Sequence, residues 1–109
     1  MKKYNFKIGT DFEKSVWIEI SKIPKGVILT YQQLAIKIGS PNSARAVANA
    51  CGKNPYLLEI PCHRVIRKDR KLGGYSAKGG IKMKKRLLEK EGHKFNNDKI
   101  IFKNSRNIY

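Results

Sequence analysis

The chain has 109 residues, the size of one ordinary domain, so a single core has to support any binding surface and any chemistry. It carries 24 Lys+Arg against 8 Asp+Glu, a formal net charge of +16, which favours a polyanionic partner such as nucleic acid. The sequence shows no long apolar run, signal-like segment or lipidation motif, so we expect a cytoplasmic, nucleoid-associated protein with no membrane partner. A well-solvated surface would explain the charge equally well, so composition alone does not decide the function.

A start signal and apolar spacing predict the first helix. Thr10 and Glu13 stand three residues apart, the spacing of a capping box, in which each side chain binds the backbone N–H of the other residue. Apolar residues then recur every three to four positions, with Trp17 beside them: Phe12, Val16, Ile20 and Ile23. We expect this helix to end at Pro24-Lys25-Gly26.

A second helix is predicted after residues 27–29, a short apolar segment that we expect to be extended. Thr30 and Gln33 have the spacing of another capping box. Gly39 is a typical helix stop, so the helix should cover residues 31–38.

A third helix should follow the turn at residues 40–42. Its apolar residues recur at helical spacing as one buried stripe: Ala44, Val47, Ala48 and Cys51. The opposite face carries small or hydrogen-bonding residues around a single long cation: Arg45, Ala46, Asn49 and Ala50. Helix, short turn and small-residue helix together form a helix-turn-helix candidate, although a plain helical hairpin in a core is the commoner explanation of so bare a pattern.

The second half of the chain combines an apolar stretch with one more helix. Asn54-Pro55 breaks the third helix, and residues 56–66 are irregular and apolar, so we expect them to be largely buried. Gly79-Gly80 opens a last helix that runs to Leu88 or Lys90. Its expected buried positions are Ile81, Leu87 and Leu88.

These patterns predict a mainly α fold, a small helical domain with a helix-turn-helix, winged-helix-like DNA-binding architecture and few short strands. We expect residues 1–109 to form a single domain with no N-terminal accessory domain. Residues 96–109 are a mostly polar tail that should either add a small strand or fray.

The two cysteines differ in their surroundings. They are too few for a disulfide scaffold, and neither belongs to a CxxC pair that would indicate zinc. Cys51 falls on the apolar stripe and is most simply a small buried hydrophobe. Cys62 lies next to His63 and Arg64, a setting that lowers a thiol pKa, so Cys62 is a candidate nucleophile with His63 as its base. Adjacent side chains seldom point at each other, so we expect a water to carry the proton between them.

Residues 60–66, Ile-Pro-Cys-His-Arg-Val-Ile, resemble the active-site signature of the O6-alkylguanine-DNA alkyltransferases, or methylated-DNA--protein-cysteine methyltransferases. Further matching segments occur in the expected order between Val16 and His93: residues 31–35, 44–47, 54–55, 74–76 and 88–93. The resemblance implies the C-terminal catalytic domain of this family. Such a domain repairs DNA by moving an alkyl group from O6-alkylguanine onto its cysteine, irreversibly and once per molecule.

The resemblance implies four catalytic residues. Cys62 would be the nucleophile and His63 its base, acting through a water, while Glu91 would orient the His63 ring. Tyr31 would help to turn the target nucleotide out of the duplex and would give a proton to the departing base. No cofactor and no metal, zinc included, is implied.

The resemblance also implies how DNA is held. Arg45 would fill the gap left by the flipped nucleotide, and the small residues Ala46 and Asn49 would let the third helix enter the minor groove. Residues around the base would be Asn54, Leu57, Val65, Tyr75 and Ser76. Among these, Asn54 would tie the third helix to the active-site segment. Lysines of the last helix, expected to contact phosphates, are Lys82, Lys84 and Lys85.

The expected partner is therefore double-stranded DNA containing O6-alkylguanine, bound in the minor groove by a monomer. The alternative is a non-catalytic alkyltransferase-like protein that binds alkylated DNA and signals excision repair. Such proteins typically replace the cysteine, often with tryptophan, whereas Cys62, His63 and Glu91 are all present here. A basic transcription factor would fit the charge but would leave the Pro-Cys-His-Arg segment unexplained.

Overall fold

The computed structural model describes residues 6–56, 58–75 and 79–101. Within these ranges the chain forms helices and short strands in the following order: α1 (Asp11–Ile20), β1 (Leu29–Thr30), α2 (Tyr31–Lys37), α3 (Ala44–Gly52), a 3-10 turn (Cys62–Arg64), β2 (Val65–Ile66), α4 (Gly80–Lys90), β3 (Lys94–Asn96) and β4 (Lys99–Ile101). The mainly α fold with few short strands is confirmed. None of these helices has the length and apolar content that crossing a bilayer would need.

Both predicted capping boxes are present. Thr10 accepts a hydrogen bond from the backbone N–H of Glu13, and the Glu13 side chain accepts one from the N–H of Thr10. Thr30 and Gln33 make the same reciprocal pair at the start of α2. Each pair satisfies two of the N–H groups that a helix start leaves without a partner, so local sequence fixes where α1 and α2 begin.

The first three helices pack around one core. Its largest member, Trp17 of α1, is buried and donates from its indole N–H to the carbonyl of Ala50 at 2.8 Å. Ala50 is itself 1% exposed, so the prediction that it lies on the outer face of α3 is wrong. α3 contacts both α1 and α2, and its buried residues are Val47, Ala50 and Cys51, whereas Ala44 and Ala48 of the predicted stripe are only half-buried. Arg45, Ala46 and Asn49 remain on the exposed face, as expected.

A two-residue parallel pairing connects the two halves of the chain. Leu29 pairs with Val65 and Thr30 with Ile66, so the start of α2 lies beside the segment that follows the 3-10 turn. The preceding apolar stretch is less buried than predicted. Burial begins at Ile60, whereas Tyr56 and Leu58 are exposed.

A second, smaller core lies under α4. Its buried members are Ile28, Ile66, Leu72, Leu88 and Ile100. Ile100 belongs to β4, which pairs with β3 as an antiparallel hairpin, so the described part of the predicted tail adds strand structure rather than fraying. The inward face of α4 runs through Lys84 and Leu88, and Ile81 is 56% exposed, so its predicted burial is wrong. Ile81 instead borders a shallow surface cavity beside Lys85.

Candidate active site

Cys62 begins the 3-10 turn and is 5% exposed. The side-chain amide of Asn54, just beyond α3, donates to its sulfur at 3.0 Å and to the carbonyl of Ile60 at 2.8 Å. The Cys62 thiol also approaches the carbonyl of Cys51 at 3.5 Å. A hydrogen bond from the Cys51 side chain lowers the pKa of the Cys62 thiol, as do the Asn54 amide and the charge of Lys84, against the effect of burial. Asn54 thus joins the end of α3 to the sulfur and to the segment before it.

His63 is held in one orientation by Glu91. Its Nε2 lies 2.9 Å from Glu91 Oε2, and the ring is 4% exposed. Burial raises the pKa of Glu91, but hydrogen bonds from Arg64 and His63 outweigh it and lower that pKa to about 2. An ionised carboxylate can only accept, so Nε2 carries the hydrogen and Nδ1 is left with a lone pair. Nδ1 is buried and makes no hydrogen bond within the part of the chain that the structure describes.

The protonation of His63 follows from the same contacts. Burial lowers the pKa of the ring, and the hydrogen bond to Glu91 opposes this effect. The imidazole is therefore biased towards its neutral form, which is the form that accepts a proton.

Lys84 is a site residue that sequence reasoning misplaced. The prediction that it contacts phosphate together with Lys82 and Lys85 is wrong, because Lys84 is 0% exposed. Its ammonium donates to the carbonyls of Leu72 and Gly74 and to the Tyr31 hydroxyl, the last at 3.4 Å. Desolvation lowers the pKa of Lys84 to about 8. Three acceptors at one buried point explain how a lysine is tolerated in the interior. Only their position in the folded chain could have revealed this.

Tyr31, the first residue of α2, faces the same loop. Because Lys84 donates to the phenolic oxygen, the hydrogen of the Tyr31 hydroxyl remains available for another acceptor. Burial raises the pKa of Tyr31, so the phenol stays protonated. Gly73 packs so closely that an added Cβ would lie 2.9 Å from the hydroxyl, and its φ of +74° favours glycine independently.

An open cavity of about 800 Å³ connects these groups to the outer face of α3. Six of the residues that line it are Tyr31, Arg45, Asn49, Cys51, Cys62 and Tyr75. Behind it, buried and not lining it, are His63, Asn54 and Val65. Ala46 is exposed on α3 but does not line the cavity. Two predicted pocket residues, Leu57 and Ser76, lie outside the described residues.

The described residues contain no cluster of three or more His, Cys, Asp or Glu side chains that could hold a metal ion. Lys82 is exposed on α4, and Lys85 is half-buried with its ammonium 5.3 Å from the centre of the Phe95 ring. Arg67 and Lys68 add basic side chains to the rim of the cavity. The cavity therefore opens between the small-residue face of α3 and a cationic rim.

α2, the turn and α3 form a helix-turn-helix, an arrangement typical of DNA-binding domains, and the exposed face of α3 carries small residues around Arg45. The family described as 6-O-methylguanine DNA methyltransferase, DNA binding domain, matches residues 11–93, and the chain belongs to this family. The description is that of a DNA-binding domain. The expectation that the chain is the C-terminal catalytic domain goes beyond this description.

Similar proteins agree with the family. A methylated-DNA--protein-cysteine methyltransferase of Methanothermobacter thermautotrophicus is 49% identical over 83 residues, which are 76% of this chain and 45% of that protein. The chain spans a quarter to a half of the first curated relatives it matches. The family is described as a DNA-binding domain, and several of the relatives are named methylated-DNA--protein-cysteine methyltransferases.

Two solved structures share the fold. Mycobacterium tuberculosis OGT in complex with DNA is 42% identical with a TM-score of 0.73, covering 84% of this chain and 57% of that chain. S. pombe ATL in complex with DNA is 25% identical with a TM-score of 0.74, covering 94% of this chain and 98% of that chain.

Proposed function

We propose that this domain is catalytic and moves an alkyl group from O6-alkylguanine in double-stranded DNA onto Cys62, once per molecule. One observation carries the proposal. Cys62 lines a cavity that opens at the outer face of α3, while the hydrogen-bonded pair of His63 and Glu91 lies directly behind it. A nucleophile, a base and a group that orients the base form an arrangement that activates a thiol.

In this reaction the Cys62 thiol gives its proton, through a water, to the lone pair of His63 Nδ1. The sulfur then forms a bond to the alkyl carbon as the bond from that carbon to guanine O6 breaks. Tyr31 gives its hydroxyl proton to the departing guanine, and the proton held by His63 returns through solvent to the Tyr31 oxygen, so that a thiol and an alkylated base become a thioether and a neutral guanine. The product thioether is not hydrolysed under mild conditions, so the protein is consumed.

The alkylated nucleotide has to leave the base stack to reach Cys62. Flipping costs a few kcal/mol, and Arg45, exposed on α3 at the rim of the cavity, has the length and planarity to fill the gap. Ala46 and Asn49 beside it are short enough for α3 to approach the narrow minor groove closely.

A second candidate is binding of alkylated DNA without transfer, followed by recruitment of excision repair. The observation that favours it is the similarity to S. pombe ATL, which extends over almost the whole length of that chain. The cysteine and the pair behind it favour transfer, because recognition alone requires neither a nucleophile nor a base.

The deciding experiment is the intact mass of the protein after incubation with a duplex that contains one O6-methylguanine. We expect a gain of one methyl group, on the peptide that contains Cys62, and no gain in Cys62→Ala, which should still bind DNA. Methylation of Cys51 instead, or repeated turnover, would contradict the proposal. DNA binding without any gain in mass would favour the second candidate.

A further inference from the structure

The side chain of Arg64 makes hydrogen bonds to Glu91 and to the main chain of Ile23, which the sequence motif did not predict. Its Nε lies 3.0 Å from Glu91 Oε1 and its Nη2 lies 2.8 Å from Glu91 Oε2. Its Nη1 donates to the carbonyl of Ile23, beyond the end of α1, at 2.7 Å. One guanidinium thus joins the loop after α1, the 3-10 turn and the C-terminal end of α4.

Glu91 Oε2 is shared between two donors. It accepts from Arg64 and also lies 2.9 Å from Nε2 of His63. The carboxylate side chain is only 9% exposed, so little water is available to replace either donor. The position of this oxygen, and with it the orientation of the imidazole ring, depends on the planar fork of Arg64.

We propose that Arg64 is a positioning residue that holds Glu91 ionised and in place, and thereby fixes His63 in the tautomer whose Nδ1 accepts the proton of Cys62. This inference rests on the proposed function. Arg64 touches neither the thiol nor the cavity, so its action passes through Glu91.

The electrostatics act in the same direction as the geometry. Without Arg64, the effect of burial on the pKa of Glu91 would be opposed by His63 alone, and the carboxylate would lose the fork that holds it in place. The Arg64 charge also lowers the pKa of His63. Removing that charge stabilises the imidazolium, so His63 should stay protonated up to a higher pH.

Charged or titratable groups other than Arg64 also affect the pKa of His63, so the variants have to leave them in place. Lys84 acts on it from α4 and Glu91 from the C-cap of α4, Cys62 precedes it in the chain, and His93 follows α4 and interacts with it. His93 is the only other histidine of the chain, so His93→Gln assigns the two imidazoles in a spectrum. Wild type and the Arg64 variants are therefore compared with Glu91 and Lys84 unchanged.

The test is a ¹⁵N NMR titration of His63 in wild type, Arg64→Met and Arg64→Lys, together with the pH profile of methyl transfer. Lys22→Met, which removes an exposed cation paired with Glu19, is the control of equal charge change. In Arg64→Met we expect the His63 titration and the acid limb of the transfer profile to move together to higher pH. Arg64→Lys, which keeps the charge but loses the fork, should shift less. Lys22→Met should behave as wild type.

A His63 titration that is unchanged in both Arg64 variants, with transfer reduced by the same factor at every pH, would overturn the inference and leave Arg64 a structural residue. If Arg64→Met does not fold, Arg64→Lys provides the test. A shifted titration or an altered tautomer of His63 in that variant would support the inference, and an unchanged titration and tautomer would overturn it. Failure of the wild-type protein to take up a methyl group would instead refute the proposed function, since the NMR measurement requires no transfer.

Discussion

Lys84→Met provides a quantitative test of the buried ammonium. The substitution keeps the length and apolar stem of the side chain but removes the group that donates to the Leu72 and Gly74 carbonyls. Desolvation lowers the pKa of Lys84 from 10.5 to about 8. Between these two values the unfolded chain holds a proton that the folded chain has released, so this group makes the free energy of unfolding rise with pH. At 1.36 kcal/mol per pKa unit, the rise is about 3 kcal/mol.

The assay is urea unfolding followed through Trp17, the only tryptophan and a buried one, at pH values from about 7 to 11. We expect the difference in unfolding free energy between wild type and Lys84→Met to grow by about 3 kcal/mol across the window from pH 8 to 10.5. Taking the difference cancels other groups that titrate there, such as Tyr31. Lys82→Met, on the exposed side of α4, should show no such window. A difference that is flat with pH would show that Lys84 keeps an ordinary pKa in the folded chain, and would refute the conclusion that desolvation disfavours its charged form.

Three further predictions concern DNA and the thiol. Arg45→Ala should slow methyl transfer from duplex DNA by up to the few kcal/mol that flipping costs and leave transfer from the free base nearly unchanged; equal slowing of both would exclude a role in filling the stack. Lys82→Ala should instead weaken DNA binding uniformly and reduce the log-log salt slope by about 0.9, and an unaltered slope would mean that Lys82 contacts no phosphate. Asn54→Ala should leave the buried Ile60 carbonyl without its donor, at a cost of about 1–3 kcal/mol, and should raise the pKa of Cys62 because a hydrogen bond that lowers it is lost. Iodoacetamide labelling of Cys62 against pH measures that rise, and an unmoved profile would contradict it.

Local signals in the sequence were sufficient for the elements that depend on local contacts. The capping boxes at Thr10 and Thr30 are predicted correctly because both partners lie within one turn of each other. The resemblance at residues 60–66 identified Cys62 and His63, and its match at Glu91 anticipated a partner 28 residues away. The roles of these residues stay predictions until transfer is measured.

Features that arise from packing between distant segments could not be predicted from the sequence. Nothing in the pattern around Lys84 distinguishes it from its surface neighbours, since its acceptors come from a loop and from α2. Ala50 is small enough for either face of a helix, and only contact with Trp17 decides which face it takes. Arg64 belongs to the recognisable segment 60–66, but its two-pronged contact with Glu91 depends on where the end of α4 lies.

The wall of the cavity is secured through its main chain. Lys84 donates hydrogen bonds to the carbonyls of Leu72 and Gly74, and Gly73 between them packs against the Tyr31 side chain. Because these hydrogen bonds involve main-chain carbonyls, which every residue has, they do not restrict which side chains occupy this segment. In a library randomised over residues 73–75, selection for folded protein should therefore recover glycine at position 73 but a wide choice at 74, where an added Cβ meets nothing within 4 Å. Position 74 is thus a place where the cavity could be reshaped for other ligands without disturbing its support.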